Sequence, residues 1–169
     1  AKARSDVQDV NGLALLTGGG GNVVVLPSSE GALMVDGGLA AHSSAVLKAV
    51  ASVTGSKRVH TLINTHWHPE QTGSNEAVGK AGGTIISHEV TRLALGRKNR
   101  SALYTGTYGG LPPKALPTVT TYNTGSLEFA GEQVDYRYLP AAHTNGDLYV
   151  HFPKHNVLVA GGPVAGKSW

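Results

Sequence analysis

Hydrophobic residues fall along this chain in short blocks broken by turn-forming residues, with helical spacing confined to a few stretches. Val23-Val24-Val25-Leu26 and Ala32-Leu33-Met34-Val35 flank Pro27-Ser28-Ser29-Glu30-Gly31, which predicts a hairpin. Asp36-Gly37-Gly38 ends its second strand. From Ala40 to Ser52, Ala41, Ala45, Val46, Ala49 and Val50 recur at the spacing of one helix face. Residues 59–64 read as a buried strand, and residues 74–82 as a helix opened by the capping-type pair Ser74-Asn75. A strand over Thr84 to Ser87 and a short helix near 89–96 follow. Residues 97–118 are loop-like, punctuated by Gly106, Gly109, Gly110, Pro112, Pro113 and Pro117. Ordered loops of that length often line or cover a site. Beyond Val119 the pattern predicts strands over 119–123, 126–130, 133–139, 147–152 and 157–160. Hairpin first, β–α alternation next and strands last predict an α/β (α+β) fold: a mixed sheet with helices outside.

The chemistry concentrates in Thr65-His66-Trp67-His68-Pro69-Glu70-Gln71-Thr72-Gly73, between a predicted strand and a predicted helix. Alternation puts both imidazoles on one side of an extended segment, where they can grip one metal ion. A third candidate, His143, lies in a loop between the strands predicted over 133–139 and 147–152. Three neutral imidazoles plus one water make the open tetrahedral site of a hydrolytic zinc centre. Such an ion lowers the pKa of its water to roughly 7 and polarises the group under attack. His88, at a strand end, reads as structural, and His42, His60, His151 and His155 lack convergent neighbours. Gly18-Gly19-Gly20-Gly21 lacks the Lys and Ser/Thr of a phosphate loop and reads as a flexible turn. Trp67, Tyr104, Tyr108 and Tyr122 are candidates for a substrate groove or for ordinary aromatic packing.

Composition narrows the options. The 169 residues suffice for a single domain over 1–169 with a sizeable core. The chain has no cysteine, so disulfides and thiolate ligands are excluded, and a metal must take His, carboxylate or amide groups. No apolar run approaches the roughly 20 residues of a membrane-spanning helix. The net charge of +3 is scattered; the one basic cluster, Arg92, Arg97, Lys98 and Arg100, reads as a solvated surface and not as a nucleic-acid site. The chain opens on Ala1 and stops at Trp169 soon after a predicted strand and turn, which reads as a removed leader or a piece of something longer. Location stays open, with a periplasmic or secreted protein favoured.

In order and spacing these motifs resemble the metallo-β-lactamase superfamily of metal-dependent hydrolases. Gly21 through Gly38 looks like its opening hairpin and strand-ending aspartate, and Thr65 to Asn75 like its His-x-His-x-Asp-His signature. Ile85 to Glu89 looks like its next strand, Ala142 to Asp147 like its third-histidine motif, and Val159 to Gly162 like its later strand and turn. The resemblance implies an αββα sandwich with helices on both outer faces. It implies His66, His68 and His143 as metal ligands, with Asp36 holding the His loop from behind.

The departures bear on mechanism. The family's second metal site takes Asp and His from the signature, a bridging Asp near the later turn and a final His; here those places read Glu70, Gln71 and Gly162. One zinc ion is therefore expected, with Glu70 as general base or water-orienting group and Asp36 and Gln71 behind the ligands. The leading expectation is a zinc-dependent hydrolase acting on an ester, lactone or lactam of a small-molecule substrate. The alternative is a degenerate, non-catalytic member that binds a ligand or partner, with a second copy of the chain shielding an uncovered apolar face. An iron-binding redox member is a third idea, opposed by Gly162.

Overall fold

The computed structural model describes residues 6–100, 106–140 and 142–164. Strands β1 (Asp6–Val10) and β2 (Leu13–Thr17) open the chain and pair antiparallel, Val10 against Leu13. The predicted hairpin follows as β3 (Val23–Ser28) and β4 (Gly31–Val35), with Ser28 opposite Gly31 so that only Ser29 and Glu30 form the turn. Helix α1 (Ser43–Thr54) leads to β5 (Val59–Ile63), then α2 (Pro69–Thr72), α3 (Asn75–Lys80), β6 (Thr84–His88) and α4 (Glu89–Gly96). The expected 97–118 loop holds a small antiparallel pair, β7 (Lys98–Arg100) and β8 (Thr107–Gly109), before β9 (Val119–Thr121). Four strands close the described chain: β10 (Thr124–Phe129), β11 (Glu132–Leu139), β12 (Asp147–Phe152) and β13 (Val157–Val159).

Two sheets result. The larger runs β1-β2-β3-β4-β5-β6-β9, antiparallel to β4 and parallel beyond it; the smaller runs β10-β11-β12-β13, antiparallel throughout. The continuous apolar blocks of β3 and β4 are explained by burial on both faces. Val24, Leu26, Leu33 and Val35 point into the layer between the sheets, with Leu148, Val150 and Phe152 opposite. The alternate residues Val23, Val25, Ala32 and Met34 meet Val46 and Val50 of α1 and Val78 of α3. Each such fully buried side chain contributes on the order of 1.5–3 kcal/mol.

Among the described residues, helices cover the large sheet only; the second helical layer of the expected αββα sandwich is not present among them. The outward face of the small sheet is mixed in character, with Leu158 exposed at its edge. Alternation with the inward Val134, Tyr136, Leu148 and Val150 turns Gln133, Asp135, Arg137, Tyr149 and His151 outward, a largely polar set. The strand predicted over 157–160 is β13, at the edge of the small sheet among the described residues, with Leu158 57% exposed.

Ser74 and Asn75 do not cap α3 as expected. The Ser74 hydroxyl donates to the Gly37 carbonyl at 2.5 Å, and Asn75 turns inward to exchange two hydrogen bonds with Asn64 (2.8 and 2.9 Å). Polar side chains that would stabilise a helix end instead tie the loop after β5 to the loop after β4. Both loops stand at the carboxyl ends of adjacent parallel strands, the usual place for a site in an open sheet.

Candidate metal centre

His66 and His68 leave β5 through a run of bends, not a regular strand, yet their rings come together. His143 reaches them from the loop between β11 and β12. Ring centroids are 4.7 Å (His66–His68), 4.9 Å (His66–His143) and 4.8 Å (His68–His143) apart, each pair nearly edge to face. One nitrogen from each ring lies within 4.8 Å of the others, and His143 Nε2 and His68 Nδ1 are only 3.1 Å apart. His66 and His68 are buried and His143 is exposed, so the cluster is backed by protein and open on one side.

Burial, aided by the neighbouring His68 and His143, pushes His66 down to about 3, and burial also lowers His68. Both rings are therefore neutral near pH 7, the form that offers a lone pair to a metal. His66 Nε2 is buried and finds no hydrogen-bond partner. A buried polar atom without a partner costs about 1–3 kcal/mol, and a cation at the centre of the three rings removes that cost. The donor set thus fits a metal: His66 Nε2, His68 Nδ1 and His143 Nε2.

The His66 ring and the His143 backbone are held from behind. Asp36 ends β4 in the left-handed region (φ 63), its N–H donating to the Ile63 carbonyl at 2.9 Å. Its carboxylate accepts from the Thr65 N–H and the Thr65 hydroxyl, both at 2.8 Å. The Thr65 hydroxyl has one proton and gives it to Asp36, so at its 3.0 Å contact with His66 Nδ1 it accepts. Nδ1 therefore carries the ring proton and Nε2 the lone pair. Burial raises Asp36 to about 7, against the two Thr65 hydrogen bonds that lower it and with the Glu70 carboxylate adding to the rise. His143 is held by Asp147, buried at the start of β12. Asp147 accepts from the His143 N–H at 2.7 Å, the Thr144 N–H at 2.5 Å and the Thr144 hydroxyl at 3.1 Å. The Leu148 N–H donates to the Thr65 carbonyl at 2.7 Å, fastening the two loops together.

Glu70 lies in the first turn of α2. Its Oε1 stands 4.0 Å from His68 Nδ1 on the open side. Gly21 packs against α2, where an added Cβ would sit 2.5 Å from the Glu70 carbonyl; the glycine run is a close approach beside the site and not merely a flexible turn. Gln71 is buried, with Oε1 lacking a partner, and lines a cavity of about 370 Å³ together with Asp36, Gly161 and Gly162. At Gly162 an added Cβ would collide with the His143 ring, 2.8 Å from Nε2, so this position has no room for a ligand side chain with His143 in place.

Of the other expected residues, Trp67 packs edge-on against His68 at 4.6 Å and Tyr108 bonds Thr72. Tyr122 is 66% exposed against His88, and Tyr104 lies outside the described residues. His88 is structural: its Nδ1 accepts from the Val90 N–H to cap α4, and its ring stacks on Tyr138 at 4.4 Å. Thr65, Thr72 and Asp147 were not singled out by the sequence. For Asp147 a signal exists in His-Thr-Asn-Gly-Asp, where a carboxylate four residues on can close a turn over its own backbone.

The described residues thus form a two-sheet α/β sandwich with three imidazoles, gathered at strand ends, that could hold a metal ion. The chain belongs to the Metallo-beta-lactamase superfamily, whose model matches residues 16–161; the members bind metal ions and are mostly metal-dependent hydrolases. In fold it is similar to a subclass B3 metallo-beta-lactamase of Bradyrhizobium japonicum (15% identity, TM-score 0.73, 89% of this chain and 58% of that one). It is also similar to a metallo-beta-lactamase of Cronobacter sakazakii (16% identity, TM-score 0.70, 88% and 58%). The motif named for the latter, H-A-R-L-D-Q, ends like His66 to Gln71 here in an acid followed by glutamine. A curated relative, the 2,4-dinitroanisole O-demethylase subunit alpha of Nocardioides sp. (strain JS1661), is 26% identical over 113 residues, 66% of this chain. The chain spans 31% of that relative's length, and somewhat under three fifths of the solved structures' lengths.

Proposed function

We propose that this chain is a zinc-dependent hydrolase of small-molecule esters, lactones or lactams, working with one ion held by His66 Nε2, His68 Nδ1 and His143 Nε2. The observation that carries the reading is His66 Nε2: buried, deprotonated, without a partner, and facing two other imidazoles. When bound, the ion supplies Lewis acidity, polarising the scissile carbonyl and making water acidic enough to react near neutral pH. Asp36 and Thr65 fix the His66 tautomer, and Asp147 fixes the backbone that presents His143. The Glu70 carboxylate takes the proton of the attacking water and turns that water toward the carbonyl. Gln71 and Gly162, where a second ion would need ligands, favour one-ion chemistry over two-ion phosphodiester cleavage.

The test is a metal assay joined to a substrate panel on the chain loaded with one equivalent of zinc. A chromogenic cephalosporin, a p-nitrophenyl ester and a lactone cover the proposed bonds. An aryl methyl ether belongs beside them, because the curated relative is by its name an O-demethylase. Turnover of at least one carbonyl substrate is expected, abolished by His66→Ala and reduced about 10²–10⁴-fold by Glu70→Gln. A chain that binds no metal at neutral pH supports instead the second reading, a ligand-binding member without catalysis.

A further inference from the structure

The excursion between α4 and β9 is tied to the metal centre by a chain of oriented hydrogen bonds. It is first tied to α4: the Asn99 side-chain amide donates to the Ala94 and Arg97 carbonyls at 2.5 and 2.8 Å, and the Leu111 N–H donates to the Leu95 carbonyl at 3.0 Å. From that base β8 presents Tyr108, half-buried, to the small helix α2. Its phenol oxygen stands 2.7 Å from the Thr72 hydroxyl. Thr72 is buried, and its own hydroxyl proton is given to the His68 carbonyl at 2.9 Å, an acceptor that can only accept. The direction of the first bond is thereby fixed. Tyr108 donates to Thr72, and Thr72 donates to His68.

The His68 carbonyl also accepts from the Gln71 N–H at 3.1 Å. His68 stands at the entry to α2 with extended backbone (φ −65, ψ 155), so the tilt of its peptide sets where Nδ1 points. Burial holds the Tyr108 phenol above its ordinary value, the Thr72 bond opposing and Glu70 adding, so its proton is in place at all physiological pH values.

We infer that Tyr108 is a positioning residue for the metal ligand His68, acting through the Thr72 hydroxyl and the His68 carbonyl. The inference rests on the metal-centre reading above and adds to it a residue from the excursion, outside the two ligand loops. A merely structural alternative is that the bond pins β8 onto α2; that would change stability and leave the ion's surroundings alone.

The experiment uses the full chain carrying Tyr108→Phe, Thr72→Val, both together, or Thr72→Ser, with two readouts. Zinc affinity is measured by chelator competition, and cobalt(II) substituted for zinc reports ligand geometry through its visible absorption. Tyr108→Phe, Thr72→Val and the double variant should each weaken zinc on the order of tenfold and shift the cobalt bands alike, because one chain is broken once. Thr72→Ser keeps the hydroxyl and should bind within about twofold of the parent, since it leaves every link of the relay intact. If Thr72→Val does not fold, Tyr108→Phe set against Thr72→Ser carries the same comparison. A Tyr108→Phe chain with parental zinc affinity and cobalt spectrum overturns the inference alone, as do additive losses in the double variant. A parent chain that takes up neither metal overturns this inference and the metal-centre reading together.

Discussion

Replacing Asp36 by asparagine separates the two things this residue does. Asp36 is 3% exposed, and burial lifts it from 3.8 to about 7 despite its two hydrogen bonds from Thr65. At 1.36 kcal/mol per pH unit that rise corresponds to ~4 kcal/mol, an order-of-magnitude figure for keeping the charged form in the folded metal-free chain. The sign follows from the raised value. Relative to high pH, the stability is fully present below about 3.8, where both states are protonated, and is lost as pH rises through about 7. His66 runs the other way: held down to about 3, it contributes stability above its ordinary 6.5 that is lost as pH falls toward 3. The difference between parent and Asp36→Asn isolates the first term. The metal-free variant should therefore gain on the parent as pH rises from 5 to 8, followed by thermal or urea unfolding. Metal binding should move oppositely. Asparagine cannot accept from both Thr65 donors, so its amide N–H faces the Thr65 hydroxyl, which turns its proton to His66 Nδ1 and leaves the other proton on Nε2, where the ion must bind. Zinc affinity should fall by about 10–100-fold. A variant that binds zinc like the parent refutes the tautomer argument, and one whose stability relative to the parent does not rise between pH 5 and pH 8 refutes the burial argument.

Three further substitutions probe the supports of the site. Asp147→Ala removes the acceptor of three hydrogen bonds around His143 and should cost ~2 kcal/mol. That corresponds to a melting point lower by roughly 4–8 °C in calorimetry, with weaker zinc binding; a stability loss without any change in zinc affinity contradicts the assigned role. Gly162→Ala places a methyl group on the His143 ring and should weaken zinc on the order of tenfold with little change in metal-free stability, since His143 is exposed and can swing away. Asn75→Ala removes both hydrogen bonds to Asn64 and the one to the Ala115 carbonyl, and should lower stability by ~2 kcal/mol in urea unfolding. Its cobalt spectrum should stay at the parental form, and a shifted spectrum assigns Asn75 to the centre.

The ligands were legible in the sequence because the evidence for them is local. Two histidines with one residue between them, after a buried strand, have few other uses, and Asp36 stands at the end of a strand that must be next to theirs. What fastens these groups was harder to read. Thr65, Thr72 and Asp147 are common turn residues whose partners are fixed only when β4, β5 and β12 come together. Tyr108 reaches α2 across 36 residues. Ser74 and Asn75 misled because their type suits a helix cap; the packing of two loops outcompeted that local use. Strands β1 and β2 were passed over because their alternation is weak, β1 being exposed along most of its length. The sandwich was implied by family resemblance, and the two packed sheets bear it out.

Zinc K-edge absorption on the chain with one equivalent of zinc, beside metal analysis of the chain and of His66→Ala, tests the centre most directly. Three histidine nitrogens at about 2.0–2.1 Å, one ion per chain and none retained by the variant are the results expected from these rings. An ion held with fewer than three imidazoles, or held equally well without His66, contradicts the central claim.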